Sequence, residues 1–577
     1  MAYPFVCAKP VELWEVPAHE VHHWPMVRAY AERLGLVGLI NRLVPSEMET
    51  DPGTIVLGMV IDTLSGRSPL YHLEAFFEHQ DRALLLGREV EAKGFNDDTV
   101  GRVLDRLFEV GTQKIFSALS LAAVQRFAIP LKHVHHDTTS VTLDGDYLPL
   151  PGTEPPFEIT YGHSKDHRPD LKQLMVSLLC AGGDVPLWGR VADGNASDKV
   201  LNNDLLSQIS ARMAQCGVEP GAFIYIADSA LITPANLQQM GDQILFISRL
   251  PGTYNAHGQV IEQVLAANAW EEVGRLAETA PSKNRPGAEY RVAEASVTVD
   301  GRCYRAIVVH SSSHDRRQHK RLERELKRSE QHLQAQLKAL LSVTYTCEAD
   351  AQAAADRARA QHTAYHSLSV AGEARPCYAP GRPKRDGTRT VKRLDYGLSG
   401  EVSADEAAIA KAREQAGCFV LLTNIPAEGA EGYSPVQVLT SYKEQHSIEK
   451  NFGFLKDDAI VNALFLKTPE RLEALGLILL ISLLIWRLME AQMRRTLEQT
   501  QTPLPGWDDK PTWRPTAYLV TIKFKGLLIL KHGTQRRLAR PLSSAQQAFL
   551  QALGLQESIF TSAPGSPRAG RRGVRMC

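Results

Sequence analysis

Near residue 131 the apolar pattern changes period, and that change constrains the fold more than any other feature of the chain. Before it, Val27–Leu43, Ile55–Leu64 and Val100–Leu121 carry apolar residues three and four apart, the spacing of helices with one buried face. Asn96-Asp97-Asp98-Thr99 supplies a cap ahead of the last of these. After it, His133–Leu143 alternates, Gln173–Cys180 is apolar, and Leu187–Val191 follows, with turn residues between them. These read as successive antiparallel strands. Asn203–Met213 reads as a helix, Phe223–Ala227 as a short buried strand, Pro234–Met240 as a helix and Ile244–Ser248 as a strand. A meander followed by strands alternating with helices is an α/β core with a mixed sheet.

Residues 251–415 interrupt that core. Val292–Val297 and Arg302–Val309 flank Val299-Asp300-Gly301 and predict a hairpin. Asp315–Ala360 is a long charged helical stretch, and Pro376–Lys384, rich in Pro, Gly and basic residues, reads as a loop. The apolar run Cys418–Thr423 suggests that the core resumes there. The expected organisation is a helical N-terminal domain over 1–130. The first part of the core follows over 131–250, an insertion over 251–415, the second part of the core over 416–500, and a basic region over 501–577.

Composition narrows the class. With 577 residues, 44% hydrophobic and 23% charged, the chain can bury large cores and is not a low-complexity or mainly disordered protein. Its formal net charge is zero, but the charge is unevenly placed. Residues 510–577 hold twelve Lys or Arg and one acid, whereas residues 1–136 hold thirteen against seventeen acids. Concentrated basic segments in a neutral whole point to a polyanionic partner. The eight cysteines form no C-x-x-C pair, which argues against a zinc or redox motif and for a reducing compartment. The N-terminus lacks the pattern of a signal peptide, and the apolar run Ala474–Trp486 is too short to span a bilayer, so no membrane association is expected.

Three acids stand out by context. Asp137 lies in the alternating strand, and Asp228 directly follows a buried strand, where an acid points into a cleft. Glu449 lies on a helix expected to start at Ser434-Pro435, with Gln437 completing a capping box. At about 100° per residue from Tyr442, Gln445, Glu449 and Lys456 share one stripe about 60° wide. Ile448, Phe452 and Leu455 fall beside it, so the stripe borders the buried face, as a cleft-lining set would. Three carboxylates from two strands and one helix suit a pair of hard divalent cations, Mg²⁺ or Mn²⁺. Held about 3.5–4 Å apart, two such ions activate a water or 3′-hydroxyl and stabilise the leaving oxygen.

These residues resemble the DDE transposases of bacterial insertion sequences, and most closely the insertion-sequence-four superfamily. Its Y-x2-R-x3-E-x6-K signature stands here as Tyr442-x2-Gln445-x3-Glu449-x6-Lys456, in SYKEQHSIEKNFGFLKD. The acidic motifs are HVHHDTTSVTL with Asp137 and FIYIADSALIT with Asp228, and YGHSKDHRPDLKQLMVSLL is similar to the family's second strand region. GFNDDTVGRVLDRL resembles the subgroup with an extra helical domain ahead of the core, which implies DNA-end binding or multimerisation for residues 1–130. The resemblance implies an RNase H-like catalytic fold with a large insertion. It also implies catalysis and metal binding by Asp137, Asp228 and Glu449, and DNA contacts by Tyr442, Gln445 and Lys456. Gln445 departs from the family's Arg, keeping hydrogen bonding to phosphate but losing charge.

Other readings compete locally. His133 and His135 share a strand face with Asp137, but no fourth ligand accompanies them, which disfavours zinc. Arg382, Lys384 and Arg385, in PGRPKR, form either a minor-groove hook or a basic linker. The basic tail, with Arg568, Arg571, Arg572 and Arg575, suits non-specific DNA contact. The expected activity is cleavage of element ends and joining of their 3′ ends to target double-stranded DNA, by a homodimer or higher oligomer on a bacterial nucleoid in the cytoplasm. The alternatives are a metal-dependent nuclease on the same fold and a DNA-binding derivative without catalysis.

Overall fold

The computed structural model describes residues 2–3, 11–12, 16–66, 72–143, 145, 147, 155–182, 184–276, 287–383, 387–457, 466 and 468–563. The chain forms two units, Met1–Ser248 with Ser441–Cys577, and Arg249–Thr440.

The first unit opens with the helices α1 (Trp24–Leu34), α2 (Leu36–Leu43), α3 (Pro52–Leu64), α4 (Asp97–Val110) and α5 (Thr112–Phe127). The sequence reads Val27–Leu43 as one helix, but Gly35 at φ 74° divides it, a backbone that glycine adopts at little cost. Val100–Leu121 is likewise two helices, α4 and α5, bent by 85° across Gly111. Asp51 caps α3 by accepting from the Thr54 amide, and every residue of α3 is buried.

The sheet follows as β1 (His133–Leu143), β2 (Lys172–Ala181), β3 (Val185–Ala192), α6 (Asp198–Gln215), β4 (Ile224–Ala227), α7 (Pro234–Met240) and β5 (Leu245–Arg249). β1, β2 and β3 pair antiparallel, while β4 lies parallel to both β1 and β5. The order is β3-β2-β1-β4-β5. All five strands expected from the sequence are present, because the runs that form them are apolar or alternating and end in turn residues.

The second unit contains α8 (Asn255–Ala267), β6 (Glu271–Arg275), β7 (Glu289–Val299), β8 (Arg302–Ser311), α9 (Ser312–Leu341), α10 (Glu348–Arg359), β9 (His366–Tyr378), β10 (Val391–Ala404) and β11 (Cys418–Thr423). Four of its strands run in the order β11-β8-β7-β6. β9 and β10 form a separate two-stranded ribbon. Two expectations need correction here. The long charged helix is two, α9 and α10. Pro376, Cys377 and Tyr378, read as loop, belong to β9; both outer sides of a two-stranded ribbon are edges, where proline's missing N–H is harmless. Cys418–Thr423 is the buried strand that the sequence predicts; it pairs antiparallel with β8 from Arg305 to His310 and belongs to the second unit, which runs to Thr440.

The chain re-enters the first unit through α11 (Pro435–Lys443), α12 (His446–Leu455), α13 (Pro469–Thr500), β12 (Leu528–His532), β13 (Gln535–Leu538) and α14 (Ser544–Ala552). Ser434 and Gln437 exchange both bonds of the expected capping box ahead of α11, at 2.8 and 3.3 Å. α13 packs against α3, α4, α5 and β3. By length and composition it is the one helix among the described residues that could cross a membrane; 83% of its apolar window is buried inside the fold. The basic segment after it belongs to the first unit. β12 pairs with Ala18–Glu20, and buried Asp81 accepts from Arg536 at 2.9 Å and Lys531 at 3.2 Å. The tail from residue 564 onward, with its four arginines, lies outside the described residues.

Candidate active site

Asp137 and Asp228 come from adjacent parallel strands. β1 and β4 pair His133 with Ile224, Val134 with Tyr225 and His135 with Ile226. Two further steps in that register set Asp137 level with Asp228, where neighbouring strands lie about 4.8 Å apart. Asp228 follows the last residue of β4, and its carboxylate accepts from the Ala230 amide at 3.1 Å. Asp137 accepts from the Thr138 amide at 2.8 Å. Asp137 keeps a little exposed surface but is ringed by protein, and burial pushes its carboxyl up to about 7; Lys165 opposes that rise, and Asp228 and Asp198 add to it. Burial also raises Asp228, with Asp198 contributing in the same direction.

A polar layer lies beneath this pair. His136 points to the far side of the sheet from Asp137, where it bonds Asn202 at 3.0 Å and Ser177 at 2.8 Å. Tyr225 donates to the same Asn202 oxygen at 3.0 Å. Burial pushes His135 and His136 down to about 4, so both rings are neutral at pH 7. His133 faces Glu444 at 3.4 Å. His136 thus lies on the face opposite His133 and His135, both of which feel the Glu444 carboxylate.

The helical part of the site departs from the single stripe expected. α11 ends at Lys443 and α12 begins at His446. Across the join the Gln445 amide bonds Tyr442 and the Ile448 amide bonds Gln445. Three-residue bonds overwind the chain relative to four-residue ones and shift the phase of the residues beyond the join. Half-buried Tyr442 is thus on α11, Gln445 in the join, Glu449 on α12 and Lys456 just past its end. Gln445 Nε2 donates to the His136 carbonyl at 3.4 Å, one residue from Asp137, and α12 packs against β1. Glu449 is exposed on α12. Among the described residues, no three His, Cys, Asp or Glu side chains converge on one point. The structure thus brings Asp137 and Asp228 together and sets the helix of Glu449 against the strand of Asp137, without closing a three-carboxylate group.

Sequence reasoning missed the loop that stitches these parts together. Lys165 Nζ donates to the Thr138 carbonyl at 2.7 Å and to its hydroxyl at 2.9 Å, and meets Asp198 at 3.2 Å. The Thr138 hydroxyl also bonds Asp198. Asp166, the next residue, takes Lys456 Nζ on both oxygens, at 2.6 and 2.8 Å. The Ser164 hydroxyl accepts from the Asp166 and Arg168 amides, at 3.3 and 3.1 Å, and shapes the turn. Lys165 and Asp166 sit in the YGHSKDHR stretch, where adjacent opposite charges between two strands were the available signal. Asp198, the first residue of α6 behind its Ser197 cap, carries only the signature of a helix start.

α12 itself is held by a buried network. Asn451 donates to the Asp184 carbonyl at 2.9 Å and accepts from Arg487 Nε at 2.6 Å. Arg487 in turn pairs with Glu490 at 2.6 Å, and Glu490 accepts from the Ala517 amide at 2.9 Å. Of the residues expected to touch DNA elsewhere, Arg382 is exposed between β9 and β10 in the second unit, and Lys384 and Arg385 lie outside the described residues.

The donor chemistry fits a hard cation. Two carboxylates stand side by side, raised by burial, with one ammonium nearby. Glu449 lies on the helix packed against the strand of Asp137. Residues 16–121, the helical segment ahead of this core, match the family model of a domain of unknown function, DUF4277. No curated protein matches the chain.

Proposed function

We propose that this chain is a DDE transposase of a bacterial insertion sequence. It binds the ends of its element, cleaves them and joins the freed 3′ ends to target DNA, as a dimer or higher oligomer. The observation that carries the reading is the level placement of Asp137 and Asp228 on parallel strands, both raised by burial, against the helix of Glu449. The strand order β3-β2-β1-β4-β5, with three antiparallel strands leading into two parallel ones, supports an RNase H-like core.

Asp137, Asp228 and Glu449 would hold two Mg²⁺ or Mn²⁺ ions, which when bound would supply Lewis-acid activation of the attacking oxygen and stabilise the leaving one. The chain's own groups do the rest. Asp137 gives up its proton when a cation offsets its burial. Gln445 donates neutral hydrogen bonds to a phosphate, and Lys456 offers charge to another once it leaves Asp166.

The test uses the full chain with duplex from the borders of its gene. Asp137→Ala, Asp228→Ala and Glu449→Ala should each abolish Mg²⁺-dependent strand cleavage and leave duplex binding largely intact. Near-parental cleavage by any variant removes that residue from the site. Cleavage without a joined product would leave a nuclease on the same fold, and binding without cleavage a DNA-binding derivative.

A further inference from the structure

The ribbon β9–β10 changes character halfway along. Near its base, Leu368, Val370 and Leu398 are buried with Leu333, Leu337 and Ala355 of α9 and α10. Arg375 pins the shaft by donating to the Leu398 carbonyl at 2.7 Å and the Leu341 carbonyl at 3.4 Å. Beyond that point the ribbon loses its support. Tyr378, Val391 and Leu394 are 45%, 46% and 49% exposed. Pro376 faces Leu394 and Tyr378 faces Val391, so these four share one face. The register skips Lys392 opposite the Cys377–Tyr378 step, a bulge that re-aims side chains at the tip. Arg389 lies 5.9 Å from the Tyr378 ring centroid, Lys392 is exposed beside it, and exposed Arg393 pairs with Asp395 at 3.0 Å, a partner it would exchange for a phosphate. From 375 to 393 the sequence carries seven Lys or Arg and one acid. With Arg375 spent on the shaft, Arg382, Arg389, Lys392 and Arg393 are the cations beyond it among the described residues.

An exposed apolar strip rimmed by cations is ill suited to water alone and complementary to duplex DNA, which offers apolar sugar edges between rows of phosphates. A two-stranded ribbon is also narrow enough to enter a groove about 12 Å wide. We propose that the distal half of this ribbon is an arm that lies along duplex DNA, with Arg389, Lys392 and Arg393 on phosphates and Tyr378 and Leu394 against the groove wall. This rests on the reading of the chain as a DNA-acting protein. It adds a contact surface built by β9 and β10, where the sequence suggested only a short basic loop.

The experiment measures binding of the full chain to a duplex of unrelated sequence at several salt concentrations. The side chains are exposed, so the variants keep the fold, which circular dichroism verifies. Arg389→Ser, Lys392→Ser and Arg393→Ser combined should weaken binding at least about tenfold at moderate salt. The log–log salt slope should flatten by about two to three, at roughly 0.9 for each phosphate no longer neutralised. Tyr378→Ser with Leu394→Ser should weaken binding severalfold with the slope unchanged. Parental affinity and slope in both variants overturn the proposal. A smaller oligomer in the apolar variant, with DNA binding intact, also overturns it, in favour of a second copy of the chain as the occupant. Loss of binding in the ribbon variants of a parent that never cleaves would uphold the arm and sink the transposase reading. Full cleavage and binding in those variants would do the reverse.

Discussion

Asp137→Asn should make the metal-free protein more stable at pH 8 while abolishing catalysis. The ordinary carboxyl value is 3.8, and burial carries Asp137 to about 7 in the fold. Below about pH 4 both folded and unfolded chains hold the proton, and the residue contributes nothing. Between 4 and 7 the unfolded chain has released the proton and the folded chain keeps it, so stability falls as pH rises. Above 7 the cost is level. At about 1.4 kcal/mol per pH unit the ceiling is about 4 kcal/mol; the remaining exposure of Asp137 brings it to roughly 2–4 kcal/mol. Asparagine keeps the bond from the Thr138 amide and cannot ionise. With unfolding entropy near 2 cal/mol/K per residue in a unit of nearly 400 residues, the variant should melt about 2–5 °C higher at pH 8. The gain should vanish near pH 4. Mg²⁺ should raise the parent's Tm more at pH 8 than at pH 5 and leave the variant nearly unmoved. Calorimetry with and without Mg²⁺ across this range is the assay. A variant no more stable than the parent at pH 8, or an equal Mg²⁺ response in both, would refute the account of this carboxyl as a burdened cation ligand.

Particular contacts lead to four further outcomes. Gln445→Arg should tighten duplex binding and steepen its log–log salt slope by up to about one, read from titrations at several salt concentrations; an unchanged slope would mean that position 445 does not meet the backbone. Asp166→Asn weakens the pairing that holds Lys456, so duplex binding should tighten severalfold in a gel-shift titration. Asn451→Ala leaves Arg487 Nε and the Asp184 carbonyl without this partner and should cost about 2–4 kcal/mol in urea unfolding. A Cβ at Gly194 would lie 2.0 Å from the Gln173 carbonyl, so Gly194→Ala should displace the segment from Thr160 to Lys165 and lower Tm by several degrees.

Removing residues 1–130 should destabilise the rest of the first unit. α3, α4 and α5 cover α13, whose buried faces include Leu477, Ile481 and Leu484. Stripped of that cover, the helix would expose a large apolar surface. The DUF4277 segment therefore supports the core, whatever else it binds.

Most elements and their types were legible in the residues alone. Runs such as Phe223–Ala227 are too apolar and too short to be anything but buried strands, and strand alternation assigned Asp137 and its neighbours to opposite faces. Asp137 inside an alternating strand and Asp228 directly after a buried one stood out from the residues as well, and the fold sets the two side by side. The joins were harder to read. Gly35 and Gly111 break helices that periodicity runs through, and two three-residue bonds around Gln445 shift the phase of the helix behind it, an effect of local backbone geometry that a 100° wheel ignores. Partnership belongs to the folded chain. Lys165 is 28 positions from Asp137, Asp166 is 290 from Lys456 and Asp81 is 455 from Arg536. Nothing local encodes such pairs, because they form only when the sheet order brings distant strands, loops and helix ends to the same place.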